Sequence, residues 1–298
     1  MRALEHLKMV ILDSGDSAMW GVEDKKERIQ HSLSSLAVEG EWGHLSRTIN
    51  LCASPSATAE LRTLRLYYYR MASALAETTV AQVLDLPANI IPPDHLEVLP
   101  IDLLIGDRAE CSVLKGPTLT TNVLQPLLQY RKMVKLHLDL PCSIWPDIKF
   151  LHTLANVMGE TLSHLVILRT TNDRVYCPFE PVLTVDDLAT IAGVIFPRLE
   201  TLGLDVPWHP TPSSSERDFL VVSSLLRTLH VWVDRSLGDQ GSSKVTKFLK
   251  EHFPGLQYLY RHRKLFANDG WEHVMTANGY SGGYYGPGDG DCLGDWCC

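Results

Sequence analysis

Residues 183–207 read LTVDDLATIAGVIFPRLETLGLDVP, and this stretch decides the fold. Thr184, followed by Val185, Asp186 and Asp187, has the form of a helix N-cap with acidic residues in the first turn. Leu188, Ile191, Ala192 and Ile195 then recur at helical spacing. Pro197 ends the helix, and Leu199, Leu202 and Leu204 open a short strand, with the last two on one face. The unit returns at Phe253 to Leu259 (FPGLQYL), behind a helix that Ser243 is expected to cap and that carries Val245, Phe248, Leu249 and His252.

Working outward, the Leu-x-x-Leu-x-apolar half of the unit recurs along the chain. It reads Leu4-Leu7-Met9, Leu33-Leu36-Val38, Leu61-Leu64-Leu66 and Leu96-Leu99-Ile101. It continues as Met133-Leu136-Leu138, Leu162-Leu165-Ile167, Leu199-Leu202-Leu204 and Leu226-Leu229-Val231, then fades at Leu256-Leu259. Successive first positions are 29, 28, 35, 37, 29, 37, 27 and 30 residues apart. Each interval holds one strand, two turns and a helix. One such unit cannot bury its apolar face alone, whereas stacked neighbours can. A further helix is expected from Asp147 to Met158, with apolar residues at Ile148, Leu151, Leu154, Ala155 and Met158 and Gly159 as its stop.

The expected fold is therefore α/β: an irregular leucine-rich-repeat solenoid over residues 1–265, with short parallel strands and helices. The Pro- and Ser-rich stretch VPWHPTPSSS (206–215) and NIIPPD (89–94) lengthen two of the periods as insertions. Residues 266–298 hold eight glycines, five acidic residues and no Lys or Arg, the composition of a disordered or loosely docked tail.

The pieces LRTLRLYYY (61–69), MVKLHLDLP (133–141), LRTLHVWVD (226–234) and VTKFLKEHFPGLQYL (245–259), together with 183–207, resemble the repeat region of fungal F-box-type leucine-rich-repeat proteins. That resemblance implies a curved solenoid that recruits a substrate for ubiquitin ligation, with an F-box ahead of it binding a Skp-type adaptor. Here the first repeat begins at Leu4, and the F-box-like string Leu99-Pro100-Ile101-Asp102-Leu103-Leu104 falls inside the fourth repeat. An adaptor is thus expected only if an F-box precedes Met1. Two alternatives stay open: a free-standing repeat scaffold or regulator, and an α/β enzyme.

Composition narrows the partners. Of 298 residues, 27 are Lys or Arg and 35 are Asp or Glu, a net charge of −8 that disfavours nucleic acid and anionic membrane. No run of ~18–20 apolar residues suggests a membrane span, and no signal peptide follows Met1, so cytoplasm or nucleus is expected. Cys52, Cys111, Cys142 and Cys177 are scattered without zinc-site spacing and read as buried free thiols. The terminal Cys297-Cys298 is like a prenylated GTPase end, but without that enzyme's body it reads as an exposed terminus.

Within each repeat, the positions between the leucines face away from the core and form the expected concave binding surface. They offer His137, Asp139, Asp205, His230 and Trp232 along one ribbon, with Tyr258 and Tyr260 at its end, and Arg65 with Tyr67 as a second patch. Aromatic residues beside charges are what protein interfaces use as anchors. No phosphate loop, nucleophile elbow or metalloprotease motif occurs, so no cofactor, metal or catalytic residue is expected. His137 and His230 lie too many strands apart to share a metal.

Overall fold

A computed structural model describes residues 6–10, 33–40, 60–68, 83–85, 91–92, 94–103, 123–140, 146–169, 183–207, 222–233, 248–263, 271–274 and 281–285. Among the described residues, eleven strands form one sheet whose spatial order follows the chain. They are β1 (His6–Val10), β2 (Ser35–Gly40), β3 (Thr63–Tyr68), β4 (Val98–Leu103), β5 (Lys135–Leu140), β6 (His164–Arg169), β7 (Thr201–Pro207), β8 (Thr228–Val233), β9 (Tyr258–Arg263), β10 (Trp271–Val274) and β11 (Ser281–Tyr285). Strands β1 to β9 pair in parallel, and each begins two residues after the first residue of one sequence repeat. The fold is α/β, as the repeat predicted.

A single backbone device sets the register. Ser34 O accepts from both Arg62 N and Thr63 N, Arg62 O from Glu97 N and Val98 N, and Glu97 O from Val134 N and Lys135 N. The relay continues through the carbonyls of Val134, Ser163, Glu200 and Arg227, every contact between 2.7 and 3.1 Å. The residue that turns each chain into its strand thus presents one carbonyl to two amides of the next repeat. This locks the leucines in line and leaves no orphan donor at the strand entrance.

The aligned leucines make the core. Leu36, Leu64, Leu99, Leu136, Leu165, Leu202 and Leu229 sit on one face of the sheet, each no more than 1% exposed. Against them lies α1 (Ile148–Met158), whose Phe150, Leu151, Leu154 and Met158 are buried. Asp147 caps it by accepting from Phe150 N at 2.6 Å, and Gly159 stops it with φ at −62°, so no left-handed turn is needed. Helix α2 (Val185–Thr190) starts as Thr184 predicts: the Asp187 carboxylate accepts from Thr184 N and Oγ1, both at 2.7 Å. It widens into a π-helical turn, Ile191–Ile195, and ends where Phe196 N donates to Ile191 O. Of the expected helix ahead of Phe253, residues 248–252 are helical, and Ser243 and Val245 lie outside the described residues.

Pro100 sits inside β4. Val98 N donates to Arg62 O, so alternate amides of β4 face β3 and the missing N–H of Pro100 falls on that side. The β3–β4 register accordingly lacks the pairs at Leu99 and Pro100, while the β4–β5 register is continuous from Val98 to Asp102. Beyond β9 the sheet turns antiparallel through β10 and β11. Residues 266–298, whose composition suggests a disordered or loosely docked tail, thus contribute two short strands.

Tyr130, closing a 3-10 turn at Gln125–Gln129, is fully buried, yet its hydroxyl has no hydrogen-bond partner among the described residues. Burial, and then the charge of Asp85, push its ionisation far above the ordinary phenol range. Tyr130→Phe is expected to leave stability unchanged or raise it by about 1 kcal/mol, because it removes a desolvated hydroxyl and no bond. A urea melt checks the sign; a loss of ~2 kcal/mol or more would reveal a bond to that hydroxyl.

Candidate functional site

The sheet face opposite the leucine core is a grid with up to three positions per strand. Register aligns Ser35, Thr63, Val98, Lys135, His164, Thr201, Thr228 and Tyr258 in its first row. The middle row holds Ala37, Arg65, Pro100, His137, Val166, Gly203, His230 and Tyr260. In the third row Glu39, Tyr67, Asp102, Asp139 and Leu168 are successive partners. Neighbours along a row stand one strand spacing apart, ~4.8 Å.

This grid gathers the sequence-derived residues into two groups. Arg65 and Tyr67 on β3 lie two strands from His137 and Asp139 on β5, with Asp102 between. His230 pairs with Tyr260, and Trp232 shares their strand pair, with Tyr258 at its entrance. Tyr258 is 45% exposed. Strands β6 and β7 separate the groups, and three strand steps put His137 and His230 ~14 Å apart. Among the described residues no cluster of three or more His, Cys, Asp or Glu is placed to hold a metal.

One detail departs from simple repetition. The β7–β8 register shifts after Leu204 so that Pro207, and not Asp205, is the partner of Trp232. Asp205 therefore sits in the irregularity and leaves the expected ribbon.

Burial divides the face as well. Arg65, Pro100, Lys135 and His137 are half-buried, whereas Val166 is 0%, Leu168 5%, Thr201 6% and His230 9% exposed. A strand with Leu165, Val166, Ile167 and Leu168 all buried has two apolar faces, so alternation alone does not describe β6. Gly203 belongs to this covered patch. A Cβ there would stand 2.9 Å from Val166 Cγ1 and 3.1 Å from His230 Cβ, so the neighbouring side chains have closed over the glycine.

The sequence reading passed over His164. Its Nδ1 lies 2.6 Å from Ser163 Oγ, which is also 3.2 Å from Val134 O. The hydroxyl donates to Val134 O, which also accepts from Ser163 N and His164 N, and the direction of its bond with the ring follows the imidazole tautomer. Burial pulls the imidazole below its ordinary range; Lys135 alongside adds to this, and Glu200 opposes it. A position in the first row of the repeat was the available signal.

That shift fixes the sign of a pH effect. The unfolded chain protonates this histidine near pH ~6.5, before the folded chain does. Its contribution to stability is whole above that value and declines as pH falls toward the folded-state value. His164→Gln is expected to flatten the slope of unfolding free energy against pH on the acid side. An unchanged slope in a pH series of melts would reject the assignment.

Among the described residues no helix is long and apolar enough to cross a membrane. The string Leu99-Pro100-Ile101-Asp102-Leu103 is part of β4, with Leu99 and Ile101 fully buried. No family model matches this chain, and no curated protein matches it. Among solved structures the chain is similar to one described as the crystal structure of the Rad7 and Elc1 complex in yeast. The two are 14% identical with a TM-score of 0.28, over 76% of this chain and 69% of that one. A superposition that loose fixes neither topology nor function.

Proposed function

We propose that the chain is a leucine-rich-repeat solenoid that binds a protein partner through the sheet face opposite its leucines, as the substrate-recognition part of an F-box-like ubiquitin-ligase receptor. The observation that carries the binding reading is the grid itself. Parallel strands in chain order hold their leucines in register inside, while the outward positions vary from repeat to repeat among Arg, Tyr, His, Asp and Trp. Invariant inside positions build a scaffold; varied, aromatic and charged outside positions recognise something. Chemistry on a bound small molecule is not part of this reading, and the chain acts without a cofactor in the cytoplasm or nucleus.

The experiment has two stages. A partner captured on the full chain is identified and its affinity measured directly. Arg65→Ala and Tyr258→Ala are expected to weaken it about tenfold or more with melting unchanged. Equal affinities would move the interface off this face. The ligase link is tested on the product of the complete native transcript with a purified Skp-type adaptor: stoichiometric binding supports the receptor, and none leaves a free-standing repeat scaffold.

A further inference from the structure

Among the parallel junctions of the described strands, one is interrupted in its middle. Register runs without a gap through β1–β2, β2–β3, β4–β5, β5–β6, β6–β7 and β8–β9. Between β7 and β8 it shifts only after Leu204, toward the end of the strand. Between β3 and β4, the pair of Thr63 with Val98 is followed by no pair until Leu66 with Ile101. Pro100 is the cause. Val98 N donates to Arg62 O, so the amide two places on would reach Leu64 O, and proline has none. Proline inside sheets belongs to edge strands and bulges, and here it stands in a strand paired on both sides.

We propose that the β3–β4 junction is a seam at which β1, β2 and β3 separate from the rest of the sheet as one unit. The open form is the minor one, because the core continues across the seam: Leu64, Leu66, Leu99 and Ile101 are all buried. The strand entrance is braced too. Arg62 O accepts from Glu97 N and Val98 N, and the Arg62 guanidinium meets the Glu97 carboxylate at 3.2 Å. That ion pair is exposed, 67% and 38% at its two side chains, and adds little. What is weaker than at the neighbouring junctions is the ladder itself, which runs unbroken across β2–β3 and β4–β5.

The seam passes through the candidate site. Arg65 and Tyr67 lie on β3, and His137 and Asp139 on β5, with β4 between them. Opening carries the first two away from the second two. For this consequence the inference rests on the reading that the face binds a protein. A partner that reaches from β3 to β5 binds the closed form alone, and so holds the seam shut.

The test is amide-resolved hydrogen exchange on the full chain, under conditions in which rates report opening equilibria. A seam gives a step, where fraying from the end gives a gradient. Amides of β2 and β3 are expected to exchange alike, and roughly tenfold or more faster than those of β5 and β6. Strand β4 divides within itself. Val98 and Asp102, whose amides face β3, follow β3, while Leu99 and Ile101, facing β5, follow β5. Pro100→Val restores the donor and slows β2 and β3 roughly fivefold relative to β5 and β6, the net effect of about one backbone hydrogen bond. Pro207→Val, at the end of β7, leaves that ratio unchanged, which sets aside the effect of losing a proline from the unfolded chain. A smooth gradient from β1 to β6, an undivided β4, or a ratio unmoved by Pro100→Val overturns the proposal. The first two are read on the wild-type chain, whether or not the variant folds. No partner enters the measurement. If the step is present while Arg65→Ala and Tyr258→Ala leave the captured partner's affinity unchanged, the seam stands and the partner-binding reading falls. If those variants weaken binding and the step is missing, only the seam falls.

Discussion

Leu136→Ala is expected to destabilise the fold by about 2–5 kcal/mol, whereas His137→Ala, the next residue along, costs under about 1 kcal/mol. The contrast follows from strand alternation. Leu136 is fully buried and sits between Leu99 and Leu165 in the central row of the core. Removing three carbons there loses transfer energy and opens a cavity. Relaxation is limited, because the carbonyl relay through Glu97 and Val134 fixes strand positions on either side. His137 points to the other face and is half-buried, so its truncation removes packing on one side of an open grid. Chemical denaturation of the two variants, read as midpoints at constant slope, decides the matter. Similar losses at both positions would mean that the outward face of β5 is packed as tightly as its core face, which would end its use as a docking surface.

Much of this was legible in the sequence because leucine spacing and strand alternation are local. Every repeat opens a strand two residues after its first position, and the Thr184 cap and the start of α1 at Asp147 were both readable from residue type and spacing. What was not legible depends on non-local geometry. Val166 and Leu168 are buried although their positions face away from the core, since burial on the second face depends on what lies across it. Asp205 leaves the ribbon because of a register shift that no single-residue preference announces. The closure of Val166 and His230 over Gly203 needs three strands to be seen at once. Likewise the histidines look scattered along the chain, and only register reveals that those on strands share a face. The strands at Trp271–Val274 and Ser281–Tyr285 arise in a Gly-rich acidic stretch whose composition argues against them. There, pairing to β9 overrides local preference.

Phe196→Ala is expected to cost about 3–5 kcal/mol. Phe196 is fully buried, ends the π-helical turn through its N–H to Ile191 O, and accepts from Leu199 N at 3.1 Å as the chain turns into β7. Phe253 repeats this arrangement, with its N–H to Leu249 O and its carbonyl to Leu256 N. The two aromatic rings therefore wedge equivalent helix–strand corners. The consequences of removing them differ by place. Phe196 lies ahead of β7, with strands paired on both sides, so its loss weakens the junction between β1–β6 and β7–β9. Phe253 lies ahead of β9, near one end of the parallel array, and its loss is borne by fewer neighbours. Hydrogen exchange should show faster amide exchange on both sides of β7 in Phe196→Ala. In Phe253→Ala the change should be confined to residues near β8 and β9. If both variants loosen the same amides to the same extent, the units do not behave as nearest-neighbour repeats, and the solenoid reading loses its energetic basis.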